Sequence, residues 1–255
     1  MSSTKRGDKT IAKEIKLLPN ELIPIHNSDK DFHEEWYEGR NPLNLCHPWR
    51  GVIVGKPNSG KSTIIKNLLI RADPPFEEVF VIHCDPQHTK EYKDCGENIK
   101  MLGSIPSPDQ WEGKVKTLVI LDDLEFKMMN KDQKRNLDRL YGYVSTHKNI
   151  SACLCSQDCF NVPPSVRRCA NLFIMWKMED LDSMARMATK TGLKASNLYT
   201  IFDTICNKYR DSLWLDGSQN TPFPIRKNGF IPIEKIDGQD SLRKKEKDDN
   251  FLIKR

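Results

Sequence analysis

The apolar positions of this chain gather into short continuous runs, separated by polar stretches with helical spacing. The runs are Val52-Ile53-Val54, Val79-Phe80-Val81-Ile82, Leu118-Val119-Ile120-Leu121, Ile150 to Cys155 and Leu172-Phe173-Ile174-Met175-Trp176. Runs of this kind, without polar alternation, suit strands buried on both faces of a parallel sheet. Between them Leu137, Leu140, Tyr141 and Val144 recur at helical spacing, which predicts a helix over Asp132 to His147. Further helices are predicted from Thr63 to Ile70, from Glu179 to Thr191 and from Lys194 to Lys208, the last two separated by Gly192 as a C-cap. Residues 86–116 read as a polar connection punctuated by proline, with a short helix near Asp109 to Trp111. Tyr209 to Asp216 and Gly229 to Ile233 read as two short strands around a polar turn. Alternating strands and helices predict an α/β fold, a mostly parallel central sheet flanked by helices, with a short C-terminal β extension.

At 255 residues the chain suits one such domain plus tails. The expected division is an N-terminal arm over 1–45, the α/β domain over 46–236 and a charged, disordered tail over 237–255. A formal net charge of +5 permits a polyanionic partner without demanding one. The eight cysteines fall irregularly, and Cys153 and Cys155 sit inside an apolar run, which suggests buried thiols in a reducing compartment. His83, Cys84, His88 and Cys95 lack the paired spacing of a structural zinc site and read as a strand end and loop. The start of the chain has no apolar leader and no run approaches a membrane span, so an intracellular protein is expected.

The chemistry concentrates after the first run. Gly55-Lys56-Pro57-Asn58-Ser59-Gly60-Lys61-Ser62, with Thr63 following, is the pattern of a phosphate-binding loop between a strand and a helix. Backbone N–H groups cradle phosphate oxygens there, Lys61 reaches the terminal phosphates, and Ser62 holds Mg2+. The run ending Asp122-Asp123-Leu124-Glu125 has the form of a Walker B strand. Asp122 is the expected magnesium residue and Asp123 the general base, with Glu125 in reserve. Gln157, at the end of the next apolar run, either meets the terminal phosphate or the attacking water, or simply caps a strand. Arg167 and Arg168 follow a proline-led turn; one is a candidate for an arginine supplied to a neighbouring subunit's site, and both also suit solvent-facing positions. One strand between the loop and the acid strand favours the RecA-like (ASCE) branch of P-loop NTPases. Asn130-Lys131-Asp132-Gln133 lacks the aspartate of a guanine-reading motif.

From about Arg50 to Phe230 the chain resembles the viral genome-packaging ATPases of the poxvirus type, within the FtsK-HerA superfamily. The resemblance is carried by Gly55 to Thr63, Leu118 to Leu124, Ser156-Gln157, Val162 to Arg167, Asp211 to Asp216 and Arg226 to Phe230. It implies an ATP-hydrolysing motor that drives double-stranded DNA into a capsid, built as a homo-oligomeric ring, pentamer or hexamer, that docks on capsid vertex proteins. It places the protein at a cytoplasmic assembly site of an infected cell or in the virion. It implies ATP and Mg2+ as ligands, with Lys61 and Ser62 on phosphate and metal, Asp122 on metal, Asp123 on the catalytic water, Gln157 sensing phosphate and Arg167 acting in trans. Many members carry glutamate where this chain has Asp123. Lys90, Lys93, Lys127 and Lys131 are candidates for DNA contact beside the plainer reading as solvated loop lysines. Another RecA-like translocase or helicase, or a nucleotide-gated capsid-assembly protein, are the alternative readings.

Overall fold

A computed structural model describes residues 41–86, 92, 96, 98–191, 193–218 and 221–233. The arm expected over 1–45 lies almost wholly outside the described residues, as do the tail, His88, Lys90, Lys93, Cys95 and Gly192. Each apolar run is a strand: β1 (Arg50–Val54), β2 (Glu78–His83), β4 (Thr117–Asp122), β5 (Ile150–Ser156) and β6 (Leu172–Trp176). Every residue of β4, β5 and β6 is buried, which is why apolar residues dominate these segments. The helices between them are α1 (Lys61–Ile70), α2 (Lys131–Arg139), α3 (Ser145–His147), α4 (Pro164–Cys169), α5 (Leu181–Thr191) and α6 (Ala195–Thr204).

One further strand joins the sheet beside β2. β3 (Ile99–Leu102) pairs parallel with β2, inside the stretch that reads as a connection. It lies at the edge and is only half-buried, with Lys100 paired to Glu78 at 2.7 Å, so it carries no apolar run to announce it. Within the predicted helix over Asp132 to His147, Leu140–Val144 winds as a π-helix between α2 and α3. Tyr141 in that segment donates its hydroxyl to the Gly51 carbonyl at 2.8 Å, tying the helix to β1.

Among the described residues one sheet runs in the order β3-β2-β4-β5-β1-β6-β7-β8-β9. The first six are parallel to one another, and β7 (Ser212–Asp216), β8 (Ile225–Lys227) and β9 (Ile231–Pro232) extend the sheet antiparallel. Successive side chains serve opposite faces. Val52 and Val54 pack with Leu137, Tyr141, Phe202 and Met184, while Ile53 packs with Ile65 and Leu68 of α1. Both faces are therefore covered, and loops at the C-terminal ends of β1, β4 and β5 share one edge.

Two buried polar clusters hold the start and end of the described chain to this sheet. Arg226 is fully buried and pairs with Asp216 at 2.7 Å, while its other nitrogens donate to the carbonyls of Leu43 and Phe223. Removing one partner of such a pair strands the other charge in the core. His47, also buried, meets Asn149 Oδ1 through Nε2 and Ser151 Oγ through Nδ1, both at 2.7 Å. Because an amide oxygen only accepts, Nε2 carries the proton and Ser151 donates to Nδ1. Ser151 in turn accepts from the Trp49 N–H at 3.1 Å, which helps fix β1 against β5.

Burial pushes the His47 imidazole down to about 4, with the Lys116 ammonium adding to the shift and the Asn149 bond opposing it. The unfolded chain takes up this proton near pH 6.5 and the folded chain does not. Stability from this group is therefore complete above about pH 6.5 and lost as pH falls toward 4. The full effect is about 3 kcal/mol. Urea unfolding at pH 7.5 and 4.5 should show this loss, and His47→Gln, which never charges, should show a correspondingly smaller difference.

Candidate nucleotide site

The loop after β1 turns through two left-handed residues, Asn58 (φ 62°) and Gly60 (φ 110°). At Gly55 a Cβ would come within 2.5 Å of both Ser59 Oγ and the Trp176 ring, so no larger residue fits there. Gly60 is the N-cap of α1 and offers no side-chain cap. The first N–H to find an acceptor in the helix is that of Ile64, on the Gly60 carbonyl at 3.0 Å. Among the described residues the first-turn N–H groups of Lys61, Ser62 and Thr63 have no backbone acceptor, and the helix dipole there favours negative charge.

Two side chains add to this cradle. Lys61 folds back over its own loop, its ammonium 2.7 Å from the Gly55 carbonyl and 3.1 Å from that of Lys56. Ser59 Oγ is buried without a hydrogen-bond partner. Such orphans are uncommon and suit a site completed by a ligand oxygen. The exposed Lys56 meets Glu179 at 3.2 Å on the loop's outer side.

The acid pair lies across β5 from this loop. Asp122 ends β4 and is 8 % exposed. Burial, more than any other influence, raises its pKa; the Tyr92 hydrogen bond lowers it, Asp123 raises it, and the charges of His83 and Lys61 lower it. Loop and acids stand on the same edge of the sheet, at the C-terminal ends of β1 and β4 with β5 between them. Tyr92, fully buried, donates its hydroxyl to Asp122 Oδ2 at 2.7 Å. One oxygen of Asp122 is thereby held and the carboxylate fixed in orientation.

Asp123 follows in a left-handed turn (φ 48°) and is exposed. Gln157, just past β5, reaches it with a long contact, Nε2 to Oδ1 at 3.4 Å. Glu125 stands elsewhere, on the wall of an open cleft with Ile82, Gly103, Ile105 and Met128. Of the two carboxylates that sequence offers as base, Asp123 is the one beside Gln157. Lys127 and Lys131 are exposed near the same edge of the sheet.

Arg167 is not part of this cluster. It is buried in α4 at 7 % exposure, with Nη1 donating to the Cys159 carbonyl at 3.1 Å and Nε without a partner. Burial first, and then the neighbouring Arg186 charge, lower its pKa. Arg168 beside it is exposed. Among the described residues no hydrogen bond or ion pair joins Arg167 to the phosphate loop or to the acids of its own chain.

Sequence reasoning did not single out Tyr92 or Trp176. Tyr92 stands alone in a polar connection, and nothing in its neighbourhood signals that it reaches Asp122. Trp176 ends an apolar strand, and only packing against Gly55 shows that it supports the loop.

No family model and no curated protein matches the chain. Solved structures do. The genome packaging NTPase B204 of Sulfolobus turreted icosahedral virus 2 in complex with AMP aligns with a TM-score of 0.54 at 18% identity, over 76% of this chain and 100% of that one. The same protein in complex with sulfate gives 0.52 at 19% identity, over 77% and 100%. The DNA-packaging ATPase B204 of Sulfolobus turreted icosahedral virus gives 0.51 at 16% identity, over 76% and 100%. At such identities the likeness is one of fold, and it bears out the mostly parallel, helix-flanked sheet of a P-loop NTPase. Along this chain two strands, β2 and β3, and not one, lie between the loop strand β1 and the acid strand β4, because the edge strand β3 has the composition of a loop; in the sheet, β5 lies between β1 and β4.

Proposed function

We propose that this chain is the ATP-hydrolysing motor of a viral genome-packaging machine, translocating double-stranded DNA into a capsid. One observation carries the reading: Lys61, Asp122, Asp123 and Gln157 converge at the C-terminal edge of β1, β4 and β5, on a fold like that of the B204 packaging NTPases. The first-turn N–H groups of α1, the Lys61 ammonium and the orphan Ser59 hydroxyl receive the phosphates of ATP. Ser62 and Asp122 would hold Mg2+, which when bound neutralises phosphate charge. Asp123 takes the proton of the attacking water, and Gln157 orients that water or senses the terminal phosphate.

Among the described residues no arginine of the same chain is bonded to the phosphate loop or to the acids, which suits a ring in which the neighbouring subunit supplies one. Arg167 supplies that group once its contact with Cys159 is exchanged for phosphate; the exposed Arg168 is the alternative. Mixing Arg167→Ala subunits with Asp123→Asn subunits is expected to recover activity at mixed interfaces, measured as phosphate release across mixing ratios. No recovery at any ratio would remove Arg167 from the trans position. The ring engages DNA through lysines such as Lys127 and Lys131, acting on phosphates without regard to sequence, and docks on capsid vertex proteins in the infected cell.

Tyr92 has a testable place in this scheme. Tyr92→Phe leaves the ring packed but frees Asp122 Oδ2. Loss of a partner that orients a metal-holding carboxylate costs on the order of tenfold in metal affinity. Titrating Mg2+ against nucleotide binding should show that shift, with metal-free binding unchanged.

The reading as a whole is tested by phosphate release with and without duplex DNA of several sequences. Stimulation by duplex, indifferent to sequence and weakened by salt, is expected. Absence of hydrolysis with every DNA offered would overturn it.

A further inference from the structure

The strand order gives this edge two unlike sides. Asp122, Asp123 and Gln157 belong to β4 and β5, on one side of β1; β6 and β7 lie on the other. A terminal phosphate that faces the acids leaves the sugar and base on the β6–β7 side. There β6 ends at Trp176, and the antiparallel β7 begins at Ser212, its register partner. The turn from Cys206 to Asp211 therefore stands on the same edge as the phosphate loop.

Trp176 joins the turn to the loop. Its ring lies 2.5 Å from where a Gly55 Cβ would sit and 3.8 Å from that of Gly60, and its Nε1 donates to the Arg210 carbonyl at 3.1 Å. The turn is rigid for its length. The Asp211 carboxylate accepts from the Lys208 N–H at 3.0 Å, and the Asp211 N–H returns a bond to the Lys208 carbonyl at 3.0 Å. Asp211 is also paired with Lys227 at 2.7 Å and accepts from Asn228 at 3.0 Å. Arg210 is held at φ 71°, a strained backbone for a bulky residue.

This braced turn displays Tyr209 at 81% exposure, with the Arg210 guanidinium 5.3 Å from the ring centroid. An aromatic face presented to water from a braced backbone, with a cation beside it, is suited to stack a flat heterocycle. We propose that this turn is the nucleobase site: the purine of the bound nucleotide stacks on Tyr209, and Arg210 flanks it. The inference rests on reading Gly55 to Ser62 as the phosphate loop, and the following test separates the two.

Binding of ATP and of inorganic tripolyphosphate, each with Mg2+, is measured for the full chain, for Tyr209→Ala and for Tyr209→Trp. Stacking predicts that Tyr209→Ala weakens ATP about tenfold, that Tyr209→Trp retains it, and that tripolyphosphate is held equally by all three. Equal losses for both ligands would mean that the turn only shapes the loop, and unchanged ATP binding would mean that the base lies elsewhere; either overturns the proposal. A parent chain that binds neither ligand overturns the phosphate-loop reading, and the base site with it.

Discussion

Lys61→Ala is expected to abolish ATP turnover, lowering phosphate release about a thousandfold or more, because it removes the single ammonium held over the loop. That ammonium sits 2.7 Å and 3.1 Å from two loop carbonyls, so it is already held over the proposed phosphate site. Its field also reaches Asp122, so its loss raises the cost of keeping that buried carboxylate charged. Lys61→Arg should not rescue: a planar guanidinium does not replace a compact point charge between two carbonyls. The fold should survive, since neither substitution touches the core. Turnover persisting in Lys61→Ala would mean that hydrolysis takes place at another site.

Asp123→Asn should lower turnover by about 10^2 to 10^4-fold while nucleotide binding remains, the separation expected of a general base. The substitution isolates chemistry because asparagine tolerates the left-handed backbone that Asp123 adopts at φ 48°. Glu125→Gln should change turnover little, since Glu125 faces the cleft beside Met128 rather than Gln157. Single-turnover phosphate release, with binding measured in parallel, distinguishes the outcomes. The reverse pattern, with Glu125 essential and Asp123 dispensable, would move the base two residues along the chain.

The candidate site is legible in sequence where the backbone demands fixed residue types in a row. Gly55 needs to lack a side chain because Trp176 and Ser59 crowd it, and Gly60 needs a positive φ, so the loop carries its own signature. β4 was legible because a strand buried on both faces is unbroken apolar sequence from Leu118 to Leu121. What long-range packing creates was not legible. Tyr92 reaches Asp122 from 30 residues upstream, and Arg226 clamps Leu43 from 183 residues downstream; no local pattern records either contact. β3 was missed because an edge strand is half-wet and its composition matches that of a loop. The trans arginine was legible as a candidate, but a single chain shows Arg167 turned to its own Cys159 carbonyl.

The central claim is that ATP hydrolysis at this site moves duplex DNA without opening it. Displacement of a third strand from the end of a blunt duplex measures this directly. The account predicts ATP-dependent displacement with a lag that grows with duplex length, no strand separation, and no displacement with Lys61→Ala. Hydrolysis stimulated by DNA but never accompanied by displacement would contradict it.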